Sequence, residues 1–319
     1  LASVSERRKN EAATKIIIDC PIDKPMKIIN PQHLPQTLIN LAEKDEYSRG
    51  NAHRSVTQLI DSPQISLLRR EHDHEIEIDI ADRLWALVGT AMHSMAEKGA
   101  DAEHLAEERL FTKINGWNIS GAIDVQHITE KGVTVLDYKF TSVWSVIYDL
   151  KKEWIAQQNC YAYLIEKEKG LTVNKLEIVT FLRDRNKQKA KQDSSYPQSD
   201  VVVLDVPLWS FEEREKYIED RVKLHQEAFQ QFSLEGTCLP CSDEERWKRA
   251  DSFAVMKEGR KTAVRVLNSA EEAEKKLKSL GDKHFVEQRI GVPTRCADNY
   301  CNVSQWCQQY QQHLKTEEK

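Results

Sequence analysis

Glycine and proline are scarce in this sequence, which has 11 of the first and 9 of the second among 319 residues. That scarcity argues against a collagen-like, linker-rich or low-complexity chain. Long apolar runs are missing as well: none approaches the roughly 20 residues of a bilayer-spanning helix. Residues 1–15 are charged and lack an apolar core, so we expect no secretory signal and a cytoplasmic location.

A strong charge of one sign is also missing. The 46 basic and 51 acidic residues give a net charge of −5. This balance excludes a polybasic coat for nucleic acid or membranes, and it leaves room for a local basic groove. The length suits one large domain or two modest ones.

Cysteine is unevenly distributed. An odd number of cysteines in a chain without an expected signal is not typical of a disulfide framework, and their clustering indicates a metal or iron–sulfur site. Cys20 and Cys160 lie apart from the cluster, and we interpret both as ordinary. The other cysteines are Cys238, Cys241, Cys296, Cys301 and Cys307.

Hydrophobic periodicity predicts an α/β protein with a helical N-terminal region and a cysteine-bearing C-terminal extension. We expect an irregular arm over 1–54, with a short strand at 16–19, a core over 55–235, and an extension over 236–319 packed on the core. The predicted helices are 55–70, 80–99, 100–109, 151–169, 210–232 and 269–281, the last two opened by Ser210 and Ser269. The predicted strands are 118–128 and 133–140, joined by a turn at 129–132, and 176–182 and 201–206, with a polar loop between the last two.

An acidic and a basic residue stand together on the strand 133–140. Asp137 and Lys139 share one face because strand side chains alternate, and the hairpin brings Asp124 beside Asp137. Paired carboxylates repel unless a cation lies between them, and Mg²⁺ or Mn²⁺ prefers such oxygens. With a lysine to serve the attacking water, this set suits phosphodiester hydrolysis. The alternative is a solvated Asp–Lys pair on an edge strand.

Four motifs in order resemble those of the PD-(D/E)XK nuclease superfamily, in its RecB-like exonuclease branch. They are Gly89-Thr90-Ala91-Met92-His93, Gly121-Ala122-Ile123-Asp124, Leu136-Asp137-Tyr138-Lys139, and Gln157 with Tyr161. The resemblance implies a central mixed β-sheet flanked by helices. It also implies a divalent-metal site held by His93, Asp124, Asp137 and the Tyr138 carbonyl, with Lys139 as a catalytic residue.

The same resemblance assigns further residues. Glu107 or Glu108 matches the acidic position that starts the core, and we favour Glu108 as a catalytic residue over a solvated charge at a helix end. Gln157 and Tyr161 lie on one helix face, and the resemblance implies that they hold DNA; taken alone, the pair is better explained by ordinary helix packing. His93, taken alone, is an ordinary surface or core histidine.

Two basic stretches are candidates for phosphate contact. The first alternates Arg183, Arg185, Lys187, Lys189 and Lys191, which would line one side if extended; the alternative is a solvated loop. The second spans 247–265, where Trp247 and Phe253 fit either base stacking or packing; we favour packing for these rings and phosphate contact for some of the cations. Its cations are Lys248, Arg249, Lys257, Arg260, Lys261 and Arg265.

The C-terminal cysteines resemble those of iron–sulfur members of this branch, the CRISPR-associated exonucleases and the AddB-type subunit. The likeness implies a [4Fe–4S] cluster on Cys296, Cys301, Cys307 and a fourth cysteine. Because phage-encoded relatives have a similar segment at 239–247, we favour Cys241 as the fourth ligand over Cys238. The alternatives are Zn²⁺ and unligated buried thiols.

The resemblance as a whole implies a metal-dependent DNA exonuclease from a phage or mobile element. Its expected partners are DNA with free ends and a phage recombination protein or a second copy of the chain, and no membrane; its location is then the host cytoplasm. Two alternatives stay open: a non-catalytic DNA-binding recombination accessory protein with the same fold, and a structure-specific endonuclease with the same site.

Overall fold

The computed structural model describes residues 27–44 and 50–317, and the chain divides into two compact units after Thr237. The predicted strand at 16–19 and Cys20 lie outside the described residues. In the first unit the elements are β1 (Lys27–Ile29), α1 (Gln36–Glu43), β2 (Arg54–Ser55), α2 (Val56–Ile60), α3 (Pro63–His72), β3 (Glu77–Asp79), α4 (Ile80–Gly99), β4 (His104–Ile114), β5 (Trp117–Thr129), β6 (Gly132–Thr141), α5 (Trp144–Ile147), α6 (Lys152–Lys169), β7 (Val173–Leu182), α7 (Lys187–Gln192), β8 (Val201–Val206) and α8 (Phe211–Glu235). In the second unit they are β9 (Ser252–Lys257), β10 (Arg265–Leu267), α9 (Ala270–Lys278), β11 (His284–Arg289), α10 (Thr294–Ala297) and α11 (Gln308–Glu317).

A mixed sheet forms the centre of the first unit. Its path runs β2-β5-β6-β7-β8, and β4 pairs with the other edge of β5. The β5–β6 and β7–β8 pairs are antiparallel, whereas β6 and β7 run parallel. The parallel pair requires a crossover, which α6 supplies. The protein is therefore an α/β protein with a central mixed sheet flanked by helices, as the sequence predicts.

The core of the first unit lies between the sheet and helices α6 and α8. Ile119, Val135 and Ile178 are buried on the strands, and Leu164 and Ile218 are buried on the two helices. Their removal from water is the main favourable contribution to the stability of this layer. Helix α8 begins with the predicted capping box, in which the Ser210 hydroxyl accepts a hydrogen bond from the Glu213 backbone N–H.

One predicted helix is a strand. Residues 104–114 form β4, which pairs with β5 along its length, so the prediction of a helix over 100–109 is wrong. The two strands are joined by Asn115 and Gly116, both left-handed with φ values of 46° and 85°. An Asn-Gly pair between two strands is a strong hairpin signal. Tertiary pairing with β5 therefore outweighs the helical propensity of this charged segment.

The predicted helix over 55–70 is two helices. The first, α2, begins with a capping box at Ser55, and the second, α3, has Pro63 in its first turn. Proline suits the first turn of a helix and breaks its interior, because it lacks a backbone N–H. The break between α2 and α3, just before Pro63, follows from that chemistry.

The second unit holds a three-stranded antiparallel sheet in the order β10-β9-β11. Helix α9 packs against this sheet through the buried Ala273, and the Ser269 hydroxyl caps its N-terminus as predicted. The C-terminal part, from α10 to α11, carries Cys296, Cys301 and Cys307. That this extension packs on the first unit stays a prediction.

Candidate active site and cysteine cluster

Strands β5 and β6 separate where two acidic residues lie. Their pairing ends at Val125 and Leu136, and β2 takes up the same edge of β5 at residues 119 and 120. Between these two stretches the Asp124 carboxylate accepts a hydrogen bond from the Tyr138 backbone N–H, with 2.8 Å between Oδ2 and N. A side chain thus supplies the acceptor that a neighbouring strand would otherwise provide. We call this place the fork.

Asp137 and Lys139 form an ion pair at the fork, with 2.6 Å between Oδ2 and Nζ. Asp137 is 1% exposed, so its charge is costly without a cation nearby. Lys139 keeps 24% of its side chain exposed and can reach solvent. The predicted shared face is confirmed by this contact. Because Asp137 is buried, the alternative of a solvated Asp–Lys pair is wrong.

Tyr138 lies between the two members of that pair. Burial and the negative charge of Asp124 together raise the pKa of its hydroxyl above the usual range. Its ring stacks on Phe181, with 6.0 Å between the centroids. With the N–H bound to Asp124 and the ring packed on β7, the backbone at Tyr138 is held firmly beside both carboxylates.

The two glutamates of β4 have different surroundings, and neither lies at a helix end. Glu108 Oε2 accepts hydrogen bonds from Lys169 Nζ at 2.7 Å and from Gln126 Nε2 at 2.8 Å. Burial alone would raise the pKa of Glu108, but these two bonds and the charge of Lys169 lower it. Glu107 is exposed and has a left-handed φ of 54°, and it lies between Ala106 and Glu108, which pair with Val125 and Ile123 of β5.

Gln126 and Lys169 are residues that the sequence did not single out. Gln126 is fully buried and Lys169 is the last residue of α6, yet both bind one carboxylate. Gln126 lies 18 positions from Glu108 in the sequence, and Lys169 lies 61 positions from it. Since no local pattern records contacts across such separations, only the folded chain brings these three groups together.

His93 lies on helix α4, as its motif predicts. This helix packs against β6, β5 and β4, the three strands that carry the acidic residues. The His93 side chain itself lies outside the part of the chain that the structure describes. Its role as a metal ligand therefore stays a prediction.

Gln157 and Tyr161 are hydrogen-bonded to each other on α6, with 2.8 Å between Nε2 and Oη. Both are buried, with 9% and 4% exposure. The Tyr161 ring packs on Gly121, where a Cβ atom would lie 3.0 Å from Tyr161 Cδ1. The glycine of the second motif thus lets α6 approach β5 closely, so helix packing accounts for the pair, while its contact with DNA stays a prediction.

The first basic stretch is not extended. It turns after β7 and then forms the short helix α7, so alternate cations do not line one side. Arg185 is 9% exposed in its side chain, and its guanidinium donates to the Pro197 carbonyl at 2.8 Å and to Asp200 at 2.9 Å. This arginine holds the following loop together. The other cations, Arg183, Lys187, Lys189 and Lys191, are exposed.

The second basic stretch lies in the second unit. Lys248 pairs with Asp243 at 3.4 Å and with Asp251 at 3.8 Å. Phe253 is on β9, while Trp247 is about half exposed and lies 5.4 Å from the ring of Tyr300. The remaining cations, Arg249, Lys257, Arg260, Lys261 and Arg265, are exposed and available to a partner.

The three C-terminal cysteines are buried close together. Burial, followed by the charges of Cys301 and Cys307, raises the pKa of Cys296 to about 11. Each of the three is 7% or 8% exposed. The effect of Cys301 and Cys307 on Cys296 indicates that both lie near it. That the three thiols hold a metal or cluster stays a prediction.

Cys241 is tied to the same region by its backbone. Its N–H donates to Gln309 Oε1, and its carbonyl accepts from Gln309 Nε2, both at 2.9 Å. Gln309 follows Cys307 by two positions on α11. Cys238 is half-buried, as is Cys241. The Gln309 contacts favour Cys241 as the companion of the triad.

The donor chemistry at both places fits the ions that the sequence implies. Carboxylates suit Mg²⁺ or Mn²⁺, and thiolates suit iron–sulfur clusters or Zn²⁺. Within 27–44 and 50–317, no group of three or more His, Cys, Asp or Glu side chains is already arranged to hold a metal ion. Thiols must lose their protons to bind a metal ion.

Comparisons with known proteins identify no family and give a weak structural similarity. No protein-family model matches the sequence, and no curated protein matches it. A solved structure described as the crystal structure of SSO0001 is similar at a TM-score of 0.42 and 16% identity, over 59% of this chain and 85% of that one. No helix within the described residues is both long and apolar enough to cross a bilayer.

Proposed function

We propose that the protein is a divalent-metal-dependent DNA exonuclease with a PD-(D/E)XK core. The observation that carries the proposal is the fork, where a buried Asp137 paired with Lys139 lies next to the Tyr138 backbone that Asp124 holds. A buried carboxylate and a partly exposed lysine at a break in a sheet are costly to maintain for stability alone. Their chemistry suits hydrolysis of a phosphodiester.

The proposed roles follow from the chemistry of each group. His93, Glu108, Asp124, Asp137 and the Tyr138 carbonyl would hold one or two divalent ions. Such an ion, when bound, polarises the scissile phosphate and lowers the pKa of the attacking water. Lys139, which reaches solvent from the fork, orients that water and stabilises the negative charge that develops on the phosphate. Gln157 and Tyr161 help position the strand.

The cysteines form a second, structural centre in the proposal. Cys241, Cys296, Cys301 and Cys307 would hold a [4Fe–4S] cluster, with Zn²⁺ as the alternative occupant. Bound to one metal centre, the four thiolates would fasten together the segment before β9 and the C-terminal segment. The support is the burial of the triad and the Gln309 contacts of Cys241.

Degradation of end-labelled linear DNA in the presence of Mg²⁺ or Mn²⁺ tests the proposal. We expect Asp137→Ala and Lys139→Ala to lower the rate by at least about 100-fold. The pair Lys216 and Asp220 provides a matched control, since it is an ion pair of 2.7 Å on the exposed surface of α8. Lys216→Ala and Asp220→Ala should leave the rate unchanged.

Further substrates separate the alternatives. Closed circular DNA stays intact with an exonuclease and is cut by an endonuclease. Undiminished degradation by folded Asp137→Ala protein would refute the proposed site. Binding of DNA without degradation under any divalent ion would instead identify the accessory protein.

A further inference from the structure

Solvent-exposed aromatic rings lie beyond the fork, where strands β6 and β7 end. Trp85 on α4 is 54% exposed, and its ring lies 5.7 Å from that of Phe140, the residue after Lys139. The Arg183 guanidinium lies over the same indole, 5.0 Å from its centroid. A tryptophan, a phenylalanine and an arginine therefore share one surface.

A second group of rings lies on the segment that follows β6. Trp144 and Tyr148 are 50% and 68% exposed and are stacked, with 5.9 Å between centroids and 19° between planes. Lys189 Nζ lies 5.3 Å from the Trp144 ring. Large aromatic side chains that remain this exposed contribute little to the core, so their burial does not explain their presence.

The two groups are connected through hydrogen bonds between the segment after β6 and the segment after β7. Asp184 accepts a hydrogen bond from the Ser142 hydroxyl at 2.6 Å and another from the Val143 N–H at 2.7 Å. The Arg183 N–H donates to the Thr141 carbonyl at 3.0 Å. These contacts hold the start of α5, and with it Trp144, against the end of β7.

We propose that this surface binds single-stranded DNA by stacking its bases on the exposed rings. We name it the aromatic platform, and it consists of Trp85, Phe140, Trp144, Tyr148, Arg183 and Lys189. Bases of a single strand have free π-faces that stack on such rings, while the cations meet the phosphates. Bases of a duplex are already stacked and would gain only the phosphate contacts. Lys187 and Lys191 extend the positive charge along α7.

The choice of nucleic acid over a protein partner rests on charge complementarity. Within residues 183–191, the exposed cations Arg183, Lys187, Lys189 and Lys191 outnumber the single acid, Asp184. Asp184 accepts hydrogen bonds from Ser142 and Val143. A polyanion with flat bases satisfies both the rings and the cations. The inference deepens the proposed nuclease function by naming the strand form that the protein holds, and it assigns the holding to residues beyond the carboxylates.

Fluorescence anisotropy in EDTA tests binding without cleavage. The probes are a labelled thymidine oligonucleotide of about 15 nucleotides and a duplex of the same length. Trp85→Ala and Trp144→Ala should each weaken binding of the single strand about tenfold, and the double variant should weaken it about 100-fold. Duplex binding should change less than about threefold. Trp85→Phe and Trp144→Phe should retain most of the affinity.

Trp247 offers a matched control in the second unit. It is 47% exposed and also has an arginine over its ring, Arg295 at 5.3 Å. Trp247→Ala should leave binding of the single strand unchanged. In the wild type, the oligonucleotide should quench tryptophan fluorescence, and the double phenylalanine variant should lose that quenching while still binding.

The outcomes separate this inference from the nuclease proposal. Wild-type affinity for the single strand in folded double-alanine protein would overturn the platform, and so would equal losses for single strand and duplex. Persistent quenching in the double phenylalanine variant would also overturn it. Tryptophan-dependent binding in a protein that cleaves nothing would support the platform and refute the nuclease.

Discussion

The carboxylate of Asp124 accepts a hydrogen bond from the backbone N–H of Tyr138, 14 residues further along the chain, at 2.8 Å. This contact lies where β5 and β6 no longer pair with each other. Asp124 therefore has a structural task, satisfying a backbone donor, and it supplies a negative charge beside Asp137. The two contributions can be separated by the choice of substitution.

Asp124→Asn should remove the charge and keep the fold. The amide oxygen can still accept from Tyr138, so we expect a change of less than about 1 kcal/mol in the free energy of unfolding. Asp124→Ala removes the acceptor and should cost about 1–3 kcal/mol. Both variants should lose metal-dependent cleavage. Urea unfolding and cleavage assays on the same preparations measure the two effects, and an active Asp124→Asn variant would contradict the metal-binding role.

Glu108 is expected to contribute to stability through Lys169. Glu108→Gln should lower the free energy of unfolding by about 1 kcal/mol, since a partly exposed ion pair with good geometry is worth about that much. The neighbouring Glu107→Gln is the matched control and should change stability by less than about 0.5 kcal/mol. Urea unfolding of wild type, Glu108→Gln, Lys169→Met and the double variant provides a double-mutant cycle. A coupling energy of zero would show that the pair contributes nothing.

From the cysteine cluster we predict that the purified protein contains a bound metal. Anaerobically purified wild type should contain iron and absorb visible light, and Cys296→Ser, Cys301→Ser and Cys307→Ser should lose both signals. Cys160→Ser is the control, because burial within α6 raises the pKa of that thiol to about 12 and keeps it protonated. A colourless protein loaded with zinc would replace the iron–sulfur proposal and leave the nuclease proposal intact.

The fourth ligand can be identified by comparing Cys241→Ser with Cys238→Ser. Because Gln309 ties the Cys241 backbone to α11, we expect Cys241→Ser to lose most of the metal and Cys238→Ser to retain it. Metal analysis of matched preparations decides between the two. The reverse result would assign Cys238 instead.

His225 should make the stability of the protein depend on pH. It is 2% exposed, and its Nε2–H donates to the Leu59 carbonyl at 3.1 Å. Burial, and then the charges of Arg54 and Arg221, lower its pKa from 6.5 to about 3. Between these values the unfolded chain binds the proton and the folded protein does not, so stability falls as the pH falls, by about 1.4 kcal/mol per unit at most.

Urea unfolding at several pH values measures this slope. His225→Gln keeps a donor for Leu59 and does not titrate, so the curve should flatten. His74→Gln changes a histidine whose side chain is 52% exposed and should leave the slope in place. An unchanged slope in His225→Gln would exclude His225 as the cause.

Local patterns in the sequence predicted much of the framework. The hairpin between β5 and β6, the long α6 and the capped α8 follow from alternation, helical periodicity and the Ser210 capping box. The misassigned segment was β4, even though Asn115 and Gly116 carry a hairpin signal. Its charged residues are typical of a helix. The backbone hydrogen bonds that make it a strand come from β5, on the other side of the turn.

The sequence by itself determined most of the elements, the Asp137–Lys139 contact and the spacing of the cysteine triad, because alternation and short spacings are local. Only the tertiary structure decided that β5 and β6 separate at Asp124, that Glu108 binds Lys169, and that Arg185 is used within its own loop. It also brought Trp85 to Phe140. These contacts join residues far apart in the chain, and their energies depend on burial and distance, which exist only after the sheet has formed.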